Sequence, residues 1–330
     1  MAYRAIIIGA GGRGRHWIRM VNAHENFEPV AIVDPAAQAH QQVAETFPDL
    51  ELQAFKSVEE AAENVDADLA IVAAISWYRR ENCMGALSAG WHVLAEKPFA
   101  LSFEDAEAIV NTGKERGLIV SAGQNYRFGR EVGTMQHKIA NGDLGKVGHG
   151  VFVRHRKRYG GNSYQKGMRH NYLWEMGVHD LDLIRFTLNL KPIRVTGFSF
   201  LPPWGDFTGE TSVSALYEFE DDVKVSYFGA WASHIPEFHW RIDGSGGSLR
   251  YGNGLQFGKP EHSEWSTVES LAEFGGDNAL LNELAEAIET GGQPSTSGAD
   301  NLWTVAMMDA VVRSTDAGGE PVSIVDMVEG

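Results

Sequence analysis

Residues 6–14 read Ile-Ile-Ile-Gly-Ala-Gly-Gly-Arg-Gly, and the reading of the whole chain turns on them. Three β-branched residues run into glycines at positions 9, 11 and 14, and the helix-compatible residues 15–22 follow. The run is too short to span a membrane and reads as a buried strand. Gly9 allows a tight turn, Gly11 lets a diphosphate approach the backbone, and Gly14 lets helix and strand pack closely. The N–H groups and positive dipole at the helix start would hold that diphosphate. The expected contacts are Gly9, Ala10, Gly11, Gly12, Arg13 and Gly14.

A second apolar run, residues 29–33, ends in Asp34, twenty residues after Gly14. A carboxylate there can accept hydrogen bonds from both hydroxyls of an adenosine ribose. It would repel a 2′-phosphate, so the expected cofactor is NAD rather than NADP. The competing reading is an ordinary βαβ turn in which Asp34 caps the next helix.

Working outward, residues 1–122 alternate short apolar runs with amphipathic stretches, the pattern of a parallel sheet covered by helices on both faces. Strands are predicted at 4–8, 29–33, 69–73, 92–95 and 119–122, with helices at 35–46, 58–63, 81–89 and 103–115. Ser57 and Ser102 stand where N-caps belong, and Gly90 and Gly117 where helices stop. Ligands of such a sheet bind beyond the carboxyl ends of its strands. That draws attention to Ala74, Ser76, Glu96 and Lys97.

After about Gly123 strand-like alternation takes over, with two apparent hairpins. Val213 to Phe219 turns at Glu-Asp-Asp into Val223 to Tyr227; Phe238, Trp240 and Ile242 turn at residues 244–247 into Leu249 and Tyr251. Residues 123–330 are therefore expected to form an α+β domain on an open, mainly antiparallel sheet, with helices at 278–289 and 300–314. Aromatic and β-branched residues occupy both faces, among them Phe198, Phe200, Tyr227 and Phe228. Oligomerisation through the sheet is the expectation, and a single covering layer of helices the alternative.

Composition narrows the function. A net charge of −16 argues against nucleic acid as a partner, because phosphate binding needs clustered positive charge. The single cysteine, Cys83, allows neither an internal disulfide nor a thiolate zinc site. The N-terminus enters a strand at once and carries no signal-peptide pattern, and no apolar stretch approaches membrane-spanning length. A cytoplasmic protein is the expectation.

Two stretches carry candidate chemistry. Ala95-Glu96-Lys97-Pro98 follows a sheet strand directly, where the Lys97 ammonium could stabilise negative charge on a reacting oxygen. A plain surface lysine is the competing reading. Trp174-Glu175-Met176-Gly177-Val178-His179-Asp180-Leu181-Asp182 leads into an apolar helix at 178–190. If helical throughout, Glu175, His179 and Asp182 share one face, which suits general acid–base work. The same three could bind a metal, the weakest reading, or merely complement a helix dipole. No metal is expected.

GAGGRG with Asp34, then AEKP, then Asn125-Tyr126-Arg127-Phe128, then GVHDLD, with IDGSGGSLRY at 242–251, resemble the landmarks of the glucose–fructose oxidoreductase, inositol dehydrogenase and MocA family. They occur in that family's order and span most of the chain. The resemblance implies an N-terminal Rossmann domain, an open-sheet C-terminal domain, NAD(P) as cofactor, and homodimers or homotetramers formed through the sheet. It implies hydride transfer at a secondary alcohol of a sugar, cyclic polyol or sugar derivative. Lys97 matches the family's catalytic lysine and His179 the histidine beside the reacting hydroxyl. Asp182 matches an aspartate that is structural or substrate-binding. Asn125 joins the cofactor contacts.

Three departures stand out. Glu175 replaces the usual Asp, one methylene shorter. Asn171-Tyr172-Leu173-Trp174 replaces the usual glycines, and Ala74-Ile75 the usual Thr-Pro, with Arg79 where a histidine is frequent. Arg154-His155-Arg156-Lys157-Arg158-Tyr159 is a basic stretch in an acidic chain. With Arg127 and the loop at 160–171, carrying Tyr164, Arg169 and His170, it could receive an anionic substrate. A solvated or intersubunit strand is the alternative for the stretch itself. The activity expected is that of an NAD-dependent dehydrogenase with Lys97, His179 and Glu175 as catalytic groups; a keto-sugar reductase and a silent NAD- and sugar-binding regulator are the alternatives.

Overall fold

The computed structural model describes residues 2–159, 165, 167–271 and 275–330. The chain divides into two compact units, Met1–Asn125 with Gly275–Leu302, and Tyr126–Phe274 with Trp303–Gly330.

The first unit is built on six parallel strands in the order β3-β2-β1-β4-β5-β6. These are β1 (Tyr3–Ile8), β2 (Phe27–Val33), β3 (Gln53–Phe55), β4 (Leu69–Val72), β5 (His92–Ala95) and β6 (Val120–Ala122). Residues 5–8 of β1 and all of β4 are buried, because helices cover both faces of a parallel sheet. The order reverses beside β1, so a crevice opens where the ends of β1 and β4 diverge, which is where dinucleotides lie on such sheets. β3 escapes the sequence reading because it is three residues long and two of them are exposed. Helix α1 (Gly12–Asn22) starts inside the glycine turn, three residues earlier than expected. The next helix, Ala37–Thr46, starts two residues late, because the Asp34 carboxylate takes the Ala36 N–H in a turn before it. Residues of the Gly275–Leu302 segment close the far edge: Ala122 N–H donates to the Thr296 carbonyl at 2.8 Å, and Ser121 bridges to Ser297.

Among the described residues the second unit is a nine-stranded sheet in the order β14-β13-β12-β11-β7-β10-β9-β8-β15, its outer strands being β13 (Gly254–Gly258), β14 (Ser266–Thr267) and β15 (Val322–Ser323). Its central strands are β7 (Val147–Lys157), β8 (Pro192–Phe200), β9 (Ser212–Phe219), β10 (Lys224–Ala230), β11 (Ala232–Gly244) and β12 (Gly247–Gly252). β7 and β10 run parallel and every other neighbouring pair antiparallel, so both expected hairpins, β9–β10 and β11–β12, form. Burial alternates along the strands. Phe152, Tyr217, Tyr227 and Trp240 face inward, while Val151, Phe198, Phe200 and Leu216 are exposed on the other face. Trp240 donates to Thr187 at 3.1 Å and Tyr217 to the Met307 carbonyl at 3.0 Å, pinning the helices Val178–Leu188 and Gly298–Asp316 to the inner face. Among the described residues, no helix is long and apolar enough to cross a membrane.

Candidate functional site

The glycine turn has the geometry its sequence predicts. Gly9 has φ +93°, and a Cβ on it would lie 2.5 Å from the Ala74 nitrogen, so the turn after β1 and the residue after β4 meet backbone to backbone. A Cβ on Gly14 would sit 1.9 Å from the Gly9 carbonyl oxygen, which is why helix and strand can pack only with glycine there. Gly11 and Gly12 are different: a Cβ on either meets nothing within 4 Å. Their glycines keep space open in front of the helix start. No side chain caps α1 and its first turn has no acid, which leaves its dipole available to an anion.

Asp34 faces the same turn. One carboxylate oxygen accepts the Ala10 N–H at 2.9 Å and the other the Ala36 N–H at 2.9 Å. Each oxygen keeps a second acceptor position, enough for two ribose hydroxyls. The open helix start and the oriented carboxylate fit a dinucleotide.

The Arg13 side chain serves another purpose. Its Nε pairs with Glu96, and its two terminal nitrogens grip Asp277 at 3.1 and 3.0 Å. Burial works against the Arg13 charge, but the two carboxylates outweigh it and hold the guanidinium above its ordinary value. Asp277 also accepts from Asn125 at 2.8 Å and contacts His16 Nε2 at 2.7 Å. Burial alone would raise its carboxyl, yet Arg13 and His16 hold it below the usual range. Glu96 is buried, accepts the Trp17 indole N–H at 2.7 Å, and takes the Lys97 backbone N–H at 3.1 Å. Glu96 thus fixes the backbone of Lys97, whose peptide to Pro98 is cis. Ser76 is buried in a short 3-10 turn and Arg79 donates to the Val72 carbonyl.

In the second unit His179 is buried at the start of Val178–Leu188, its ring stacked on Tyr126 with centroids 4.0 Å apart and planes 10° from parallel. Glu175 lies in the π turn Leu173–Gly177 just before that helix. The wider turn alters the α-helical spacing from which a shared face with His179 is expected. The Glu175 carboxylate accepts Gln165 Nε2–H at 3.1 Å. Asp182 forms a buried pair with Arg127, through Nε at 3.1 Å and a second close contact, and accepts from Thr304 at 3.3 Å. The Arg127 guanidinium therefore lies in a buried ion pair.

The basic strand separates by face. Arg154 is buried, bonds Asp180 at 2.5 Å and lies 4.3 Å over the Phe238 ring. Asp180 also accepts from the Tyr172 and Tyr227 hydroxyls at 2.8 and 3.0 Å, both phenols being pushed up by burial. Tyr172, one of the residues replacing the family's glycines, lies against Gly229 of the sheet, where a Cβ would come within 2.2 Å of its ring. Arg156 is exposed although alternation puts it on the face of Arg154, because the partner strand β11 bulges between Ala232 and Glu237. Arg158 donates to Gln165 at 2.6 Å and lies 4.3 Å over the Trp231 ring. Arg169 is exposed and bonds Asp316 at 2.8 Å. Tyr164 lies outside the described residues. Among the described residues no three His, Cys, Asp or Glu side chains gather as a metal set. Asp277, Tyr126 and Gln165 are absent from the expected site; the Asn125–Phe128 motif carries Tyr126, and Arg158 belongs to the basic stretch already singled out in the sequence.

The fold and this turn define a nucleotide-binding oxidoreductase scaffold. Residues 3–124 match the family described as "Oxidoreductase family, NAD-binding Rossmann fold", and residues 132–250 its GFO/IDH/MocA C-terminal domain. The chain belongs to the Gfo/Idh/MocA oxidoreductase family. It is 29% identical to 1,5-anhydro-D-fructose reductase of Ensifer adhaerens over 273 residues, 79% of this chain and 81% of that one. It is 25% identical to D-apiose dehydrogenase of Rhizobium rhizogenes over 256 residues, 70% and 72% of the two chains. An Agrobacterium radiobacter oxidoreductase, solved with NAD+, L-tartaric acid and magnesium, shares the fold at TM-score 0.88 and 22% identity, over 99% of this chain and 100% of that one.

Proposed function

We propose that this enzyme is an NAD-dependent oxidoreductase acting between a secondary alcohol of a sugar, cyclic polyol or sugar derivative and the corresponding ketone. The observation that carries the reading is the Glu96-anchored Lys97 behind an open glycine turn, in a chain that also keeps a ring-stacked histidine next to an acidic π turn. Bound NAD supplies the hydride acceptor. Lys97 polarises the reacting oxygen, one of Lys97 and His179 takes the hydroxyl proton, and Glu175 orients His179 or relays that proton onward.

Asp34 selects NAD over NADP, since one of its oxygens is held on the glycine turn by the Ala10 N–H, the other is turned to the Ala36 N–H, and a 2′-phosphate would meet their charge. The exposed sheet face bearing Val151, Phe198, Phe200 and Leu216 supports a homodimer or homotetramer formed through the sheet. Arg154 and Arg127 lie in buried ion pairs with Asp180 and Asp182, so the exposed Arg156 and Arg169 are the more accessible candidates for an anionic substrate.

Reduction of a keto-sugar is a second reading of the direction, supported by likeness to an anhydrofructose reductase. The experiment is a two-way assay with inositols, aldoses, anhydro sugars, sugar acids and keto-sugars, each with NAD(H) and NADP(H). NADH formed from neutral polyols supports the dehydrogenase. Activity confined to NADH oxidation by keto-sugars supports the reductase, and tight NADH binding with no turnover in either direction contradicts both.

A further inference from the structure

Gln165 stands between a cation and the acid of the proposed site. Its side-chain oxygen accepts from the Arg158 guanidinium at 2.6 Å, and its side-chain nitrogen donates to Glu175 at 3.1 Å. A glutamine amide presents an acceptor at one end and donors at the other, so engaging the oxygen with a cation turns the N–H2 group toward the carboxylate. The middle of this bridge and its cationic end are both anchored. Gln165 is buried, and its backbone carbonyl accepts from the Asn171 side chain. Arg158 lies 4.3 Å over the ring of Trp231, which is itself buried and donates its backbone N–H to the Thr211 carbonyl at 3.0 Å.

We propose that Gln165, oriented by Arg158, is a positioning residue that sets the direction of the Glu175 carboxylate. The inference rests on the reading of Glu175 as the acid that works with His179. It explains how a glutamate, longer and freer than aspartate, can serve there: its extra torsion is removed by a bond to a buried amide. It also gives a reason for an amide rather than a direct ion pair. A guanidinium set on a carboxylate favours the ionised form and weakens it as a proton acceptor, whereas a neutral amide orients it at a smaller cost in basicity.

The test uses Gln165→Leu, Arg158→Met and Gln165→Glu in the full chain, with thermal midpoint and NADH binding as controls for folding. Crystal structures of wild type and the first two variants come first, because they need no substrate. The expected result is that the Glu175 carboxylate leaves its wild-type position while the backbone of Leu173–Gly177 stays. Kinetically, Gln165→Leu is expected to lower kcat by about 10²-fold with KM little changed. The loss should vanish when Glu175 is already Gln, since a residue acting through another adds nothing once that one is gone. Gln165→Glu should approach wild-type turnover as pH falls, because only its protonated carboxyl can donate as the amide does. An unmoved carboxylate in both variants, or an equal loss in the Glu175→Gln background, overturns the proposal. Absence of turnover in wild type would instead defeat the functional reading, and the crystal structures would still decide the role of Gln165.

Discussion

The ring of Tyr126 lies face to face with that of His179, 4.0 Å between centroids. A stacked partner fixes the plane of an imidazole yet leaves its ring nitrogens, which lie in that plane, directed at whatever stands beside the edge. Tyr126 follows Asn125, whose side chain donates to Asp277 at 2.8 Å.

The stack itself is testable. Tyr126→Phe keeps the ring and should leave turnover within about threefold of wild type, whereas Tyr126→Ala frees the imidazole and should cost about 10²-fold, the usual result of a small misplacement of a reacting group. Equal activity of both variants, measured as NADH formation, would remove the ring from the account.

Lys97→Ala and His179→Ala should each lower turnover by ~10²–10⁴-fold, the range for positioned acid–base groups. NADH affinity, read from fluorescence titration, should change little in His179→Ala. Near-normal turnover in both variants would sink the proposed mechanism.

The glycines make opposite predictions. Gly14→Ala places a Cβ 1.9 Å from a backbone oxygen and should destabilise the fold by about 1–3 kcal/mol or more, measured by urea unfolding. Gly11→Ala places its methyl in open space and should leave stability unchanged while abolishing NADH binding. Loss of stability in Gly11→Ala would contradict the reading of that glycine as room for the cofactor.

Much of this site is legible in the sequence because its requirements are local. The backbone at Gly9 and the contact between Gly14 and Gly9 are decided within a few residues, and Asp34 ends the very next long strand. What is not legible is set by distant partners. Asp277 reads as an ordinary acid at a helix start, and nothing near it announces that Arg13, 264 residues away, is its partner. Arg154 and Arg156 look equivalent by alternation and become different through a bulge on another strand. Gln165 carries no sequence signal at all, since its role comes from the two groups it joins.

Asp277 also predicts a pH dependence. Its folded-state carboxyl is held below the ordinary value near 3.8, so the unfolded chain binds more protons as pH falls. Its stabilising contribution is therefore complete above that ordinary value and is lost as pH drops through the depressed one. Asp277→Ala should be less stable than wild type by about 1–3 kcal/mol at pH 7, and the difference should shrink below about pH 4. A gap in urea midpoints that is constant with pH would contradict this.

The central claim is direct hydride transfer, and isotope tracing tests it most directly. The polyol or sugar giving most NADH in the assay is prepared with deuterium on the carbinol carbon and incubated with NAD and enzyme. The account predicts NADH one mass unit heavier, with the label on the nicotinamide ring, and at equal times ~10²–10⁴-fold less of that product with His179→Ala or Lys97→Ala. Unlabelled NADH, or a labelled product formed equally fast by both variants, would contradict it.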